Sequence, residues 1–419
     1  MKKLKKITFV QSAPYKEDET RLAQYHGAVF AEYLRGKGVD ATKMVLGDSL
    51  KKKPSSPLLS ISSYEERCSP EWWAKEDYDI VLVYGGMDFS YDPVFKAIKK
   101  GAPRTVVFLR MDAAYGPFFP KVRRLCQNFH ITYVNDRYSH IFDPAVGHQS
   151  NSVFGALAIA AVNSLRVFSP RHTRAIVEHF QLPDYVTYEN QSALDDAKKW
   201  IQEYGGKRVE EKFIWCGFPI RASFSRILSE VERKPASILS VANWKPQKDI
   251  ALHAKTTKIV LERCPEATFT IVGENSRRVF DRISRIAPEH IARVNVVEEI
   301  ENKDLPSLYQ SHQIHMLCSK VEGICSTPIE ALSSGCSAAL PPGVGVPCFR
   351  EFVANDCGTL AVSRSPEDMA NAVLKELELW ESGVRTAEHM RNEWARTRVD
   401  RLCDILLEKA QLELPQESE

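Results

Sequence analysis

The sequence predicts an α/β protein made of two doubly wound, Rossmann-like domains. Three observations predict it. Short apolar runs alternate with helical periodicity along the chain, the pattern of parallel strands covered by helices. The pattern runs through once and restarts after the polar stretch "SEVERKPA", residues 229–236. The length, 419 residues, also exceeds what one hydrophobic core usually serves.

The first pass opens with "KITFVQSAP", a buried strand, followed by a helix over residues 20–37 that ends at Gly38. "YDIVLVYGG" and "RTVVFLRMD" are two further strands, separated by the helical "DPVFKAIKKG". An apolar helix, "SNSVFGALAIAAVNS", precedes the strand "LRVFS" and the helix "RHTRAIVEHF". A further helix near 191–204 leads to "KFIWCGFPI", a last strand and turn. In the second pass "ASILSVAN", "ATFTIVG", "RVNVVEE" and "QIHMLCS" are strands. Helices over 249–263, "VFDRISRIA" and "DLPSLYQSH" lie between them. Ligands of such sheets sit outside the C-terminal strand ends, where helix N-termini point. Two facing domains would enclose a cleft there.

Composition narrows the function classes. Hydrophobic residues at 44% and charged residues at 26% are ordinary globular values. The ten cysteines are scattered singly, without a C-x-x-C pair, which favours reduced thiols over disulfides or zinc. After Met1, "MKKLKKITFVQSAPY" has four apolar residues before Gln11, too few for the core of a signal peptide. No run approaches ~20 apolar residues, so no transmembrane helix is expected, and the reduced thiols assign the chain to the cytoplasm. Net charge is +2, but residues 1–235 carry about 35 Lys+Arg against about 27 Asp+Glu. Lys2, Lys3, Lys5, Lys6 and Lys51–Lys53 make this half basic, either as plain solvated surface or as a peripheral contact with an anionic membrane or acceptor. A nucleic-acid role is disfavoured by the small overall charge and the lack of an aromatic-basic motif.

The chemistry concentrates in "VEGICSTPIEALSSGC", residues 321–336, which follows the strand "QIHMLCS". Glu322 and Glu330 stand eight apart, astride a short polar loop. Taken singly, Glu330 reads as an acid at a helix mouth stabilised by the macrodipole, and Glu322 as a solvated loop acid. Neither reading explains why both occur in this register. Cys318, Cys325 and Cys336 match no common zinc spacing and read as buried thiols.

This segment, with its flanking strands, resembles the E-x7-E motif of retaining glycosyltransferases of the two-Rossmann-domain GT-B architecture, family four especially. "ILSVANWKPQKDIAL" is similar to that family's first strand and phosphate-binding turn, and "FTIVGE" to its next strand, ending in Gly273. The path "VVEEIENKDLPSLYQSHQIHMLCS" leads into the motif as it does there. In the front half "LRVFSP" and "WCGFP" sit where the family has a paired-strand Ser and an Asn-Gly turn. The resemblance covers about 236–395 and is only topological before that.

It implies a nucleotide-sugar-binding domain over 236–395, an acceptor-side domain over 1–235, and a C-terminal helix in 396–419 packing back toward the latter. It implies Lys248 on the diphosphate, Glu330 on the ribose hydroxyls and Glu322 beside the donor sugar, with Lys248 and Glu322 as catalytic residues. Asn243, Gly273, Ser319, Gly323, Ile324, Cys325 and Ser326 complete the implied donor site. Backbone N–H groups at the helix start can meet phosphate or sugar oxygens, and a carboxylate accepts two hydroxyl hydrogen bonds at once. No metal or other cofactor is expected. The partners implied are a nucleotide sugar and a glycan or lipid-linked acceptor that the sequence does not identify.

The sequence also departs from the pattern. Asn243 stands where the family usually has an Arg, and Asp249 where a Gly follows the Lys. Asn brings no charge, so leaving-group stabilisation would fall on Lys248, with Lys245 nearby. The front turn "QSAPYKEDE" lacks the glycines of many relatives, and "LRMDAAYG" lacks their His. Arg110 and Asp112, at that strand end, are the acceptor-side candidates, with a structural ion pair as the equal alternative. Asn243 also supports a second function: a catalytically silent accessory protein that binds nucleotide sugar or glycan. A sugar-nucleotide epimerase of the same architecture is a lesser alternative.

Overall fold

The protein is described from a computed structural model, over residues 2–14, 22–23, 27–47, 54–86, 88–111, 154, 158, 170–320, 322, 325–342 and 348–415. These fall into two compact bodies, the first drawing on the chain up to Met111, on 170–221 and again from Arg396, the second on Ala222–Ala395 together with 154 and 158.

Among the described residues the first body holds a seven-stranded sheet. Its strands are β2 (Lys6–Pro14), β3 (Asp40–Leu46), β4 (Leu59–Ser62), β5 (Ile80–Tyr84), β6 (Val106–Met111), β7 (Tyr185–Tyr188) and β8 (Phe213–Trp215). They lie in the order β4-β3-β2-β5-β6-β7-β8, and every pairing is parallel. The run "IVLVY" is apolar throughout because both faces of β5 are covered. Ile80 and Leu82 face one core with Phe9, Phe30 and Leu34, while Val81 and Val83 face the other with Val94, Phe95 and Ile98. The first of these cores is completed from the far end of the chain. Helix Val399–Ala410 contributes Leu402, Cys403 and Leu406, and β15 (Leu412–Glu413) pairs in parallel with β1 (Lys2–Lys3).

Three strands of this sheet escape the hydrophobic pattern. β3 carries Lys43 at a buried position, β4 is the half-polar "LSIS", and β7 is four residues long. The helix expected over 20–37 occupies Gly27–Arg35 among the described residues, and Gly38 turns the chain at φ 79°. The strand "LRVFS" lies outside the described residues, as do nearly all of the apolar helix before it and most of the front turn.

The second body holds a six-stranded parallel sheet: β9 (Ser237–Val241), β10 (Thr268–Val272), β11 (Val294–Val297), β12 (Ile314–Met316), β13 (Ser337–Leu340) and β14 (Gly358–Leu360). The order is β11-β10-β9-β12-β13-β14. The chain therefore builds outward from β9 to β11, returns to the centre, and builds outward the other way from β12. β9 and β12 are neighbours at the reversal, with Ile238 opposite Ile314. That reversal is the topological switch point, where helices leave on opposite faces and the carboxyl ends of the two strands diverge.

Candidate active site

The segments leaving β9 and β12 carry the sequence-selected residues. After Val241 the chain passes Asn243, makes a short 3-10 turn over Pro246–Lys248, and enters helix Ile250–Arg263 through Asp249. Asp249 has φ 51°, left-handed backbone, and caps the helix by accepting the Leu252 N–H at 3.2 Å. Its place after the lysine is one where the resembled family uses Gly, and the conformation accounts for that: Gly reaches left-handed backbone freely, and Asp is among the few other residues that tolerate it. Gly273, at the end of β10, has φ 107°, and a Cβ there would stand 2.2 Å from the Ala242 carbonyl oxygen. A side chain at 273 would push apart the strand ends that flank the turn.

The Lys248 ammonium meets the Glu322 carboxylate, Nζ to Oε1, at 2.5 Å. Both side chains are nearly buried, at 13% and 10% exposure. Burial works against the lysine charge, but the Glu322 carboxylate outweighs it and holds the ammonium above its ordinary pKa. A backbone bond from Lys320 N–H to Gln247 O, 2.8 Å, joins the two segments. Ser319 is fully buried and its Oγ has no protein hydrogen bond.

Asn243 does not point a free amide at this site. Its Nδ2 donates to Glu274 Oε2 at 2.8 Å, and its buried Oδ1 is left without a partner. Glu274, directly after Gly273, was not selected from the sequence, although its position next to that glycine was available as a signal.

Helix Ser326–Ser333 starts after Cys325, whose thiol is buried and held well above its ordinary pKa by that burial and by Glu322. Glu330 does not open this helix. It lies one turn in, half-buried, where its Oε2 accepts from the Tyr309 hydroxyl at 3.2 Å. Tyr309, from helix Leu305–Gln310, is fully buried. Below the site burial pushes His253 and His315 down to about 3, so both rings are neutral packing groups. Gly323 and Ile324 lie outside the described residues.

A second unselected residue, Arg364, ties the two segments together. Its Nη2 donates to Asp249 Oδ2 at 2.8 Å and to Cys318 O at 2.8 Å, and its Nη1 donates to Ser319 O at 2.7 Å. It directly precedes Ser365, the cap of helix Pro366–Glu381, and nothing local in the sequence links it to a residue 115 positions away.

In the first body, Arg110 on β6 is fully buried and bonded on three sides. It reaches Glu189 Oε1 at 2.5 Å, Gly217 O at 2.6 Å and Cys216 Sγ at 3.7 Å. This is the geometry of a structural ion pair joining β6 to the ends of β7 and β8, with no face of the guanidinium open to an acceptor. Asp112 lies outside the described residues. Among the described residues one carboxylate–imidazole group is compact enough to share an ion: Glu262, Glu289 and His290. It sits at the C-terminal end of helix Ile250–Arg263 and before β11, at the N-terminal ends of the strands and so away from Lys248, which follows the C-terminal end of β9.

Residues 225–393 match the family model of glycosyl transferases group 1. The fold is GT-B. HepE of Anabaena, solved with UDP, aligns over 97% of this chain and 99% of its own at a TM-score of 0.59 and 14% identity. A UDP-forming α,α-trehalose-phosphate synthase from Burkholderia vietnamiensis aligns over 98% of both chains at 0.61 and 11%. The lipopolysaccharide outer core galactosyltransferase WaaB, in its apo form, aligns over 96% and 98% at 0.56 and 15%. At such identities these GT-B proteins share a fold with this chain. A curated relative, the GtfA subunit of a UDP-N-acetylglucosamine–peptide N-acetylglucosaminyltransferase from Streptococcus parasanguinis, is 29% identical over 109 residues. That stretch is 25% of this GT-B chain and 20% of the relative's length.

Proposed function

We propose that this chain is a retaining glycosyltransferase that moves a sugar from a nucleoside diphosphate donor to a glycan, glycolipid or other glycoconjugate. The observation that carries the reading is the Lys248–Glu322 pair at the switch point of the domain that matches group 1 glycosyl transferases. Solved neighbours with UDP and with UDP-glucose support a UDP-sugar as the first donor to test.

In this reading the donor diphosphate lies over Lys248, whose charge stabilises the departing pyrophosphate in a site with little water. Glu330, oriented by Tyr309, accepts from the ribose hydroxyls, and Glu322 stands by the sugar. The bond between the anomeric carbon and the phosphate oxygen breaks while the acceptor oxygen bonds to the same face. The acceptor proton passes to the leaving phosphate, so no separate protein base and no metal are required. The orphaned Asn243 Oδ1 and Ser319 Oγ are polar atoms at the strand ends that a donor hydroxyl would satisfy.

Among the described residues no helix is long and apolar enough to cross a membrane. We place the protein in the cytoplasm, with a peripheral contact to anionic membrane as the accompanying proposal. The N-terminal lysines offer less free charge for it than their number suggests, since Lys2 pairs with Asp79 at 2.6 Å and Lys6 with Glu76 at 2.9 Å.

The alternative, a silent accessory protein, is favoured by one observation: Asn243 brings no charge and donates to Glu274. A screen of nucleotide sugars by thermal stabilisation and slow hydrolysis separates the two, because a ligand of the folded state raises its stability whether or not chemistry follows. A donor that both stabilises and is hydrolysed establishes the enzyme. Stabilisation without turnover, in the presence of acceptor glycans, establishes the accessory protein.

A further inference from the structure

We infer that Arg364 is a positioning residue of the donor site, whose task is to cancel the negative charge that Asp249 places beside the phosphate-binding lysine. The inference rests on the donor-site reading given above. Asp249 follows Lys248 directly, so its carboxylate belongs to the same turn that is to meet a diphosphate. An unscreened acid there would repel the phosphates that Lys248 attracts. Both carboxylate oxygens are occupied: Oδ1 accepts the Leu252 N–H, and Oδ2 accepts from Arg364 at 2.8 Å. The pair is mostly shielded from solvent, with side-chain exposures of 22% and 14%, so salt screens it weakly. Arg364 also donates to the carbonyls of Cys318 and Ser319, which leaves its charge held between the segment bearing Lys248 and the segment bearing Glu322. The turn thereby keeps the helix cap that Asp249 supplies without its electrostatic cost.

The experiment is calorimetric titration of UDP into wild type, Arg364→Gln, Asp249→Asn and the double variant, with thermal unfolding of each to verify folding. Asn also caps helices and tolerates left-handed backbone, so Asp249→Asn can keep the Leu252 N–H bond through its Oδ1 while it removes the charge and the Oδ2 acceptor that Arg364 uses. Arg364→Gln should weaken UDP roughly tenfold, and adding Asp249→Asn should restore it to within about threefold of wild type. A clamp that acts only through the Cys318 and Ser319 carbonyls would not be rescued in this way, because the double variant still lacks those bonds. UDP binding by Arg364→Gln equal to wild type, or a double variant no better than Arg364→Gln, would overturn the inference while leaving the donor site standing. If Arg364→Gln does not fold, Asp249→Asn alone decides: tighter UDP binding supports the inference, and unchanged or weaker binding refutes it. Wild type that binds neither UDP nor any other nucleoside diphosphate would remove the donor-site reading, and this inference with it.

Discussion

Lys248 Nζ and Glu322 Oε1 stand 2.5 Å apart, so the cation proposed for the diphosphate and the acid proposed for the sugar neutralise each other. Removing the acid therefore has opposite effects on binding and on chemistry. Glu322→Gln should bind free UDP more tightly, by about three- to tenfold, because Lys248 loses its competing anion. Turnover should fall by at least ~100-fold, the scale of losing a transition-state contact. Calorimetry with UDP beside steady-state rates makes the comparison; weaker UDP binding in the variant would contradict the pair's proposed competition.

The same pair sets a pH limit. Lys248 is held above the ordinary lysine value of 10.5, against burial and by Glu322. Its contribution to stability is fully present below the unfolded pKa and is lost only as pH rises through the higher folded one. In Glu322→Gln the main influence raising the lysine pKa is gone, and burial, opposed only by Cys325, lowers it. The alkaline loss of UDP affinity should then begin at a lower pH than in wild type, as a titration series from pH 7 to 11 would show.

Glu330 and Tyr309 form the ribose side of the proposed site. Glu330→Gln should weaken both nucleotide sugar and free UDP by about 1.5–3 kcal/mol, the scale of a charge-assisted hydrogen bond. Tyr309→Phe removes the 3.2 Å bond and should cost ~1 kcal/mol in binding of the same two ligands. Equal UDP affinity in wild type and Glu330→Gln would take the acid out of the donor site.

Arg110 is expected to matter for folding and not for acceptor recognition. Arg110→Met leaves Glu189 buried without its cation, a change that typically costs ~3–5 kcal/mol. Chemical denaturation should show that loss. A normally stable variant with a selectively raised acceptor KM would instead assign Arg110 to acceptor binding.

The mechanism proposed here takes no metal. Turnover should survive chelation by EDTA, and complete loss that only a divalent ion restores would require a different account of leaving-group stabilisation.

Sequence reading reached the two parallel-sheet domains because strands covered on both faces are largely apolar and easily seen, β5 throughout and β9 but for two small serines. It lost β4 and β7, where four residues with mixed polarity carry no period, and β3, where buried Lys43 interrupts one. At the site, resemblance to family motifs selected Lys248, Glu322 and Glu330, because all three belong to continuous local stretches of sequence. Arg364, Glu274 and Tyr309 act on those motifs across 21 to 115 positions of sequence, through contacts that only the folded β9 and β12 ends create. The substitution at Asp249 was legible as a departure, but its left-handed backbone was not.

The parallel pairing of Lys2–Lys3 with Leu412–Glu413, and the seat of helix Val399–Ala410 in the first core, bear on how the protein is made. On the ribosome the second body has all its strands once β14 emerges, whereas the first waits for the last helix before Phe9, Phe30 and Leu34 are fully covered. Synthesis order and completion order are therefore reversed for the two halves. A nascent chain stalled near residue 395 would hold a finished second body behind an N-terminal half with an open apolar face, the kind of surface that draws chaperones during translation.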